Sequence, residues 1–191
     1  MKKMVRPAAM LLSVCMLFSL SGCFHRRIEE IDPDDFIDAC EDVLELEEFD
    51  QQEFNRDYVN YTDYYIWHNY PDRYEVDAHY NKITDPDKAD GSESLYVQYC
   101  LMDDDEDAEE LFVNQTERMR RVTKNEILKD CYVEGEYGYL IVERENPEGT
   151  HSICAYYYVE DMYIETIVYS EEGYDNTEAF LKELGLPFRH K

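Results

Sequence analysis

The 191-residue chain carries 45 Asp and Glu against 18 Lys and Arg, a formal net charge of −27 at pH 7 and a pI near 4.3. This excludes an electrostatic nucleic-acid binder, which needs a basic stripe to release counterions from phosphates. A hydrophobic fraction of 44%, of which aromatics are a large part, also excludes a disordered acidic tail and predicts one folded domain with a real core.

The first element is a positive start, Lys2, Lys3 and Arg6, followed by an apolar run of thirteen residues from Ala8 to Leu20. That is the layout of a secretory signal peptide. At ~1.5 Å per residue the run covers only about 20 Å, short of a ~30 Å hydrocarbon core. Arg26 and Arg27 would also fall on the outer side of such a span, against the preference for positive loops inside.

The run ends in Leu20-Ser21-Gly22-Cys23, which resembles the lipobox of bacterial lipoproteins. The resemblance implies a diacylglyceryl group on the Cys23 thiol and cleavage between Gly22 and Cys23, where the small Ser21 and Gly22 suit the narrow approach of a peptidase. Two acyl chains anchor a protein stably where one is marginal. The expected organisation is therefore a signal peptide over 1–22, a lipidated Cys and linker over 23–31, and a single α+β domain over 32–191. The expected location is the extracytoplasmic face of the cell membrane. Loss of residues 1–22 removes three basic and no acidic side chains, taking the formal charge to −30. Phe24 to Ile31 reads as an eight-residue linker reaching about 26 Å at ~3.3 Å each. On it Arg26 and Arg27 either rest near lipid headgroups or are simply solvated.

Asp32-Pro33-Asp34-Asp35 marks a helix start, with Asp32 as N-cap, Pro33 at the first helical position and acids facing the positive end of the dipole. Phe36, Cys40, Val43 and Leu44 follow at helical spacing. Tyr58 to Tyr70 is β-branched and aromatic, Pro71-Asp72 breaks it, and Tyr74, Val76, Ala78 and Tyr80 then alternate with polar residues, so a hairpin is expected. After a polar loop from Thr84 to Glu93, Ser94 to Met102 reads as a central strand. Asp103 to Glu110 opens a helix that Arg118, Arg120, Arg121 and Lys124 close, with the charges ordered to match the dipole.

Three strands are expected at Tyr137–Glu145, His151–Val159 and Met162–Ser170, joined by a type I turn at Asn146-Pro147-Glu148-Gly149 and a tight turn at Glu160-Asp161. Cys131 to Glu134 adds at most a short strand. A last helix spans about Asp175 to Leu184, with Gly185 placed for a left-handed cap, Leu186 for its apolar contact and Pro187 for the stop. The order predicts an α+β fold, an antiparallel sheet with helices on one face. Strand Tyr96–Met102 and its helix overlay strand Tyr163–Tyr169 and its helix, which suggests a duplicated unit of three strands and a helix.

Outside the lipobox, candidate chemistry is sparse. Cys40 and Cys100 lie in apolar patterns and read as buried free thiols. Were the exported domain oxidised, Cys131 with Cys154 is the first pairing to expect. The five histidines form no metal-ligand pair, and no metal or cofactor is expected. An EF-hand begun at Asp103 meets Ala108 where Gly should turn the chain and Asn114 where a Glu should close it, so the acidic run is better explained as a helix start. No Gly-x-Ser-x-Gly elbow, phosphate-cradling Gly loop or His-Glu-x-x-His helix occurs, and enzyme activity is not expected. The eighteen tyrosines, seven of them between Tyr58 and Tyr80, carry two readings. A sheet face with Tyr64, Trp67 and His68 suits a peptide or glycan. Tyr also simply suits half-exposed strands.

The layout as a whole resembles small, uncharacterised lipoproteins of Gram-positive bacteria. They share a capped helix soon after the lipidated Cys, a strand leading into an acidic Ala-and-Phe helix, here Leu95 to Phe112, and a late strand before a short helix ending in Leu-Gly, here Met162 to Gly185. The resemblance supplies no activity. The function expected is an anchored, non-catalytic module for a protein, peptide or cell-wall ligand. The alternative is a low-affinity divalent-cation-binding accessory protein of the cell surface. A solute-binding subunit of a transporter is disfavoured, because the mature chain is short for two lobes.

Overall fold

The computed structural model describes residues 26–44, 76–83, 95–145, 149–169 and 171–188. The expected signal peptide, Cys23, the expected strand Tyr58–Tyr70 with Tyr64, Trp67 and His68, and Asn146–Glu148 of the expected turn lie outside them. In chain order the elements are α1 (Pro33–Leu44), β1 (Val76–Ile83), β2 (Leu95–Met102), α2 (Asp105–Arg121), β3 (Glu126–Val133), β4 (Tyr137–Glu145), β5 (His151–Val159), β6 (Met162–Val168), a 3-10 turn at Glu171–Gly173, and α3 (Tyr174–Glu183). The strands form one antiparallel sheet in the order β1-β2-β6-β5-β4-β3. This is the α+β class expected.

Local chemistry sets the helix ends. The Asp32 carboxylate accepts from the Asp34 backbone N–H at 2.9 Å and the Asp32 carbonyl from Phe36 N–H at 3.0 Å, so Asp32 is the N-cap and Pro33 the first helical residue. Ile31 and Phe36 flank that cap in the positions of a hydrophobic staple, and both are buried in one cluster. Asp104 caps α2 in the same way, accepting from Glu106 N–H at 2.7 Å. At the end of α3, Gly185 takes φ +71°, its N–H bonds the Lys182 carbonyl, and Leu186 N–H bonds the Leu181 carbonyl at 2.7 Å. This is a Schellman motif with Leu186 buried behind it.

The helices occupy both faces of the sheet, not one. On the first face, α1 and α3 bury Phe36, Cys40, Phe180 and Leu181 against Tyr99, Ile141, Tyr157 and Ile164. On the second, α2 buries Ala108, Leu111, Phe112 and Met119 against Cys100, Leu140, Tyr156 and Tyr163. The physical reason is that β5 and β6 are buried at nearly every position from Ser152 to Val168. A strand apolar on both sides has no wet face to leave uncovered. The duplicated unit is not confirmed. A two-fold axis normal to the sheet would lay β1-β2 over β5-β6, but it would also put the helices that follow β2 and β6 on the same face.

β3 runs the full length of the sheet edge rather than the short piece expected. Its pairing with β4 shifts between Ile127 and Lys129, and only Cys131 is buried, so the period of two is broken where it would be read. All four described cysteines are free and buried. Cys131 belongs to the first-face cluster and Cys154 to the second, so the sheet itself separates the pair that seemed readiest to bridge.

Glycine is required at Gly138 in β4. A Cβ there would stand 2.6 Å from Cε1 of Phe112 and 2.8 Å from Cε1 of Tyr158, both fully packed rings. Gly138→Ala therefore pushes α2 off the sheet. Overpacking of this kind costs about 1–3 kcal/mol, which denaturant unfolding should record as a lower midpoint with an unchanged slope; an unchanged midpoint would show that the ring has room to move.

Candidate functional site

The densest chemistry among the described residues lies on the second face, beneath α2. The strand register sets it in rows. Gln98 of β2 faces Glu165 of β6, which faces Tyr156 of β5. Beside this row, Cys100 faces Tyr163, which faces Tyr158. The Tyr163 hydroxyl donates to Oε2 of Glu165 at 3.3 Å. Tyr96 donates to Oε1 of Gln98, and Nε2 of Gln98 donates to Sγ of Cys100 at 3.1 Å. Gln115 is buried on the facing side of α2, and its amide nitrogen finds no hydrogen-bond partner among the described residues.

Glu165 is 1% exposed. Burial pushes its carboxyl up to about 8, and the hydroxyl of Tyr163 only partly offsets this. At neutral pH the group is mainly the acid, able to donate as well as accept. Burial also lifts the Cys100 thiol, against the pull of Gln98, so it is no nucleophile. A general acid needs a substrate within hydrogen-bond reach, and here α2 and the sheet enclose the group. As built, the row is a closed polar seam.

A second polar centre ties α2 to the sheet. Oε1 of Glu109 accepts from the Tyr132 hydroxyl at 2.6 Å, Gly135 N–H at 2.9 Å and the Tyr158 hydroxyl at 3.1 Å. Burial pushes this carboxyl up, yet the three donors together bring it below its usual range. The rings of Tyr132 and Tyr158 lie 6.1 and 4.9 Å from that of Phe112. At the other end of α2, Arg120 grips Asp130 of β3 with two bonds of 2.9 and 2.7 Å. These groups hold the β3-β4 hairpin to the helix; their chemistry is used inside the fold.

The sequence-predicted site residues Cys23, Tyr64, Trp67 and His68 are outside the described residues. The acidic run is where a helix start was expected, with Asp104 spent on its cap. Among the described residues no group of three His, Cys, Asp or Glu is placed to hold a metal ion, and no helix is long and apolar enough to cross a membrane. The Tyr156-Tyr157-Tyr158 run is interior rather than a recognition surface, each ring at most 1% exposed. Sequence reasoning missed Glu165. The available signal was an acid with Tyr163 and Ile167 two positions away on either side, in a strand apolar on both faces. No protein-family model matches the chain, and no curated protein matches it.

Glu165 gives a pH dependence with a definite sign. Below the ordinary carboxyl value of 4.5 the group is protonated in both folded and unfolded chains and has no effect. As pH rises from 4.5 to about 8, the unfolded chain ionises while the fold keeps its proton, so stability falls. At about 1.4 kcal/mol per unit, the loss is on the order of 5 kcal/mol. Glu165→Gln removes it: the melting temperature of the variant should gain on the native protein as pH is raised from 5 to 8. Parallel curves would refute this account of Glu165.

Proposed function

We propose that this protein is an extracytoplasmic lipoprotein, held on the cell membrane through a diacylglyceryl group on Cys23, whose α+β domain is a non-catalytic binding module for a protein, peptide or cell-wall ligand. The observation that carries the reading is the sequence Leu20-Ser21-Gly22-Cys23 placed directly after a basic start and a thirteen-residue apolar run. The fold is compatible with it: a packed domain begins at Ile28, a few residues after the residue to be acylated. The buried carboxylates and tyrosines described above are engaged in holding the chain together, which favours recognition at the surface over chemistry in a cleft. The surface proposed for it is the one carrying Tyr64, Trp67 and His68, expected from the sequence as a strand.

Two experiments test the two halves of the reading. In bacteria fed an alkyne-bearing fatty acid, the native chain should take up label and sediment with membranes, while Cys23→Ser should lose both properties. Label retained by the variant would sink the anchor. For the module, capture of envelope components on the immobilised protein should drop at least several-fold in a Tyr64→Ala, Trp67→Ala double variant whose melting temperature is unchanged. Equal capture by the two proteins would remove that face from consideration.

A further inference from the structure

The two faces of the sheet are covered differently. On the first, α1 and α3 lean on each other, with the Phe36 and Phe180 rings 5.7 Å apart and edge to face. On the second, α2 alone supplies the helical cover among the described residues. Its bonds to the sheet lie toward its ends, Glu109 to Tyr132, Gly135 and Tyr158, and Arg120 to Asp130. Its two buried polar side chains in between do not hold the strands. The Thr116 hydroxyl bonds the Phe112 carbonyl of its own helix at 2.8 Å, and the Gln115 amide nitrogen has no partner.

Glu165 belongs to the face that α2 covers, between Tyr163 and Ile167 of the same cluster. Its only hydrogen-bond partner among the described residues is the Tyr163 hydroxyl, at 3.3 Å. The groups that face it include no described Lys or Arg. β2 brings Tyr96, Gln98 and Cys100. β5 brings Tyr156 in register with it, and Cys154 and Tyr158 on either side. β6 itself brings Tyr163 and Tyr169, and Arg144 of β4 acts on Tyr169 at the far end of that strand. α2 brings Gln115, while its Glu109 is engaged with three donors. Buried His79 of β1, opposite Cys100, is two strand spacings from β6, roughly 10 Å. A carboxylate formed at Glu165 therefore has one long hydrogen bond and no cation to offset its burial, a costly state. Water is the remedy. With the sheet on one side, water enters when α2 lifts, and that movement solvates the carboxylate and the Gln115 amide together.

We propose that α2 is a cover which deprotonation of Glu165 lifts from the second face of the sheet, while α1 and α3 stay closed on the first. This is independent of acylation of Cys23, and it locates the loss of stability derived above at one helix instead of spreading it over the domain. The segments on either side of α2, Asp103–Asp104 and Val122–Asn125, are outside helix and strand and are where the chain can bend. Lifting exposes Leu140, Tyr156 and Ile167 along with Cys100 and Cys154. The closed form holds its proton up to about pH 8, whereas an open form ionises near 4.5. One proton is lost per opening, so each unit of pH within that range multiplies the open fraction about ten-fold.

The test uses the full chain and a thiol-alkylating reagent, with Cys154, fully buried on the second face, as reporter and Cys40, fully buried on the first, as reference. Modification of each is read by peptide mass spectrometry and divided by that of the urea-unfolded chain at the same pH, which removes the titration of the thiol itself. From about pH 5.5 to about pH 7.5 the Cys154 ratio should rise about a hundred-fold. It should respond little to urea well below the unfolding transition, because lifting one helix exposes little surface. At the upper pH Cys40 should lag at least ten-fold behind. Glu165→Gln should hold the Cys154 ratio constant to within about three-fold across the range. A Cys154 ratio that climbs with urea as steeply as unfolding itself, or a Cys40 that keeps pace, means that the whole domain opens and overturns α2 as a separate cover. A pH rise that persists in Glu165→Gln, or no rise in the native chain, overturns the role of Glu165.

Discussion

Strands β5 and β6 are apolar on both sides, and much of the molecule follows from the need to keep water from both. A sheet with one wet face needs a single layer of helices; this one needs two. Helices α1 and α3 close the first face. The second is left to α2, which starts after β2 and delivers the chain to β3 at the opposite edge, so it must cross the central strands in between. That crossing explains why Gly138 has to lack a side chain beneath Phe112 and why Glu109 collects two donors from the hairpin it reaches and a third from Tyr158 of β5. It also explains how an acid on a central strand came to be sealed from solvent.

Tyrosine is the residue that makes a two-sided core workable here. Each ring supplies a large apolar area, and each hydroxyl needs a partner once buried. Four of the tyrosine hydroxyls reach backbone carbonyls near the edges of the described domain and beside its turns. Tyr99 holds Ile31, Tyr157 holds Pro187, Tyr158 holds Val133 and Tyr174 holds the His151 carbonyl. A bond of this kind contributes about 1 kcal/mol net, but its placement matters more than its size. Phenylalanine in the same positions would fill the core and leave the terminal segments without these ties. The abundance of Tyr that suggested a recognition surface is thus, in the described half of the pattern, a set of fasteners.

What was legible in the sequence was what depends on a few neighbouring residues. Asp32-Pro33, Asp104 with the acids after it, and Leu184-Gly185-Leu186-Pro187 announce helix ends because the groups that satisfy the backbone are within three positions of it. The β4-β5-β6 meander was legible because hairpins are local. The side of the sheet on which each helix packs was not, since it is fixed by the pairing of β2 with β6, more than sixty residues apart, and by the route of α2. The extent of β3 was hidden by its bulge. Ile28 and Ile31 looked like isolated apolar residues in a tether because the core they join comes from distant elements, with Tyr99 and Met162 holding Ile31. Glu165 was lost among 45 acids: composition made every carboxylate equally unremarkable, and only burial distinguishes one. Of the described candidate site, the closed seam under α2 was not legible.

The net charge of −27 bears on the same architecture. Self-repulsion opposes compactness, and the fold meets it by placing its carboxylates at the rim, where water screens them, and its apolar rings inside. Where acids do crowd, around the β5-β6 turn, burial raises the Glu30 and Asp161 carboxyls and neighbouring acids raise them further, so lowering the pH relieves that strain and the penalty at Glu165 together. The two effects have the same sign, and the domain should be best suited to mildly acidic surroundings.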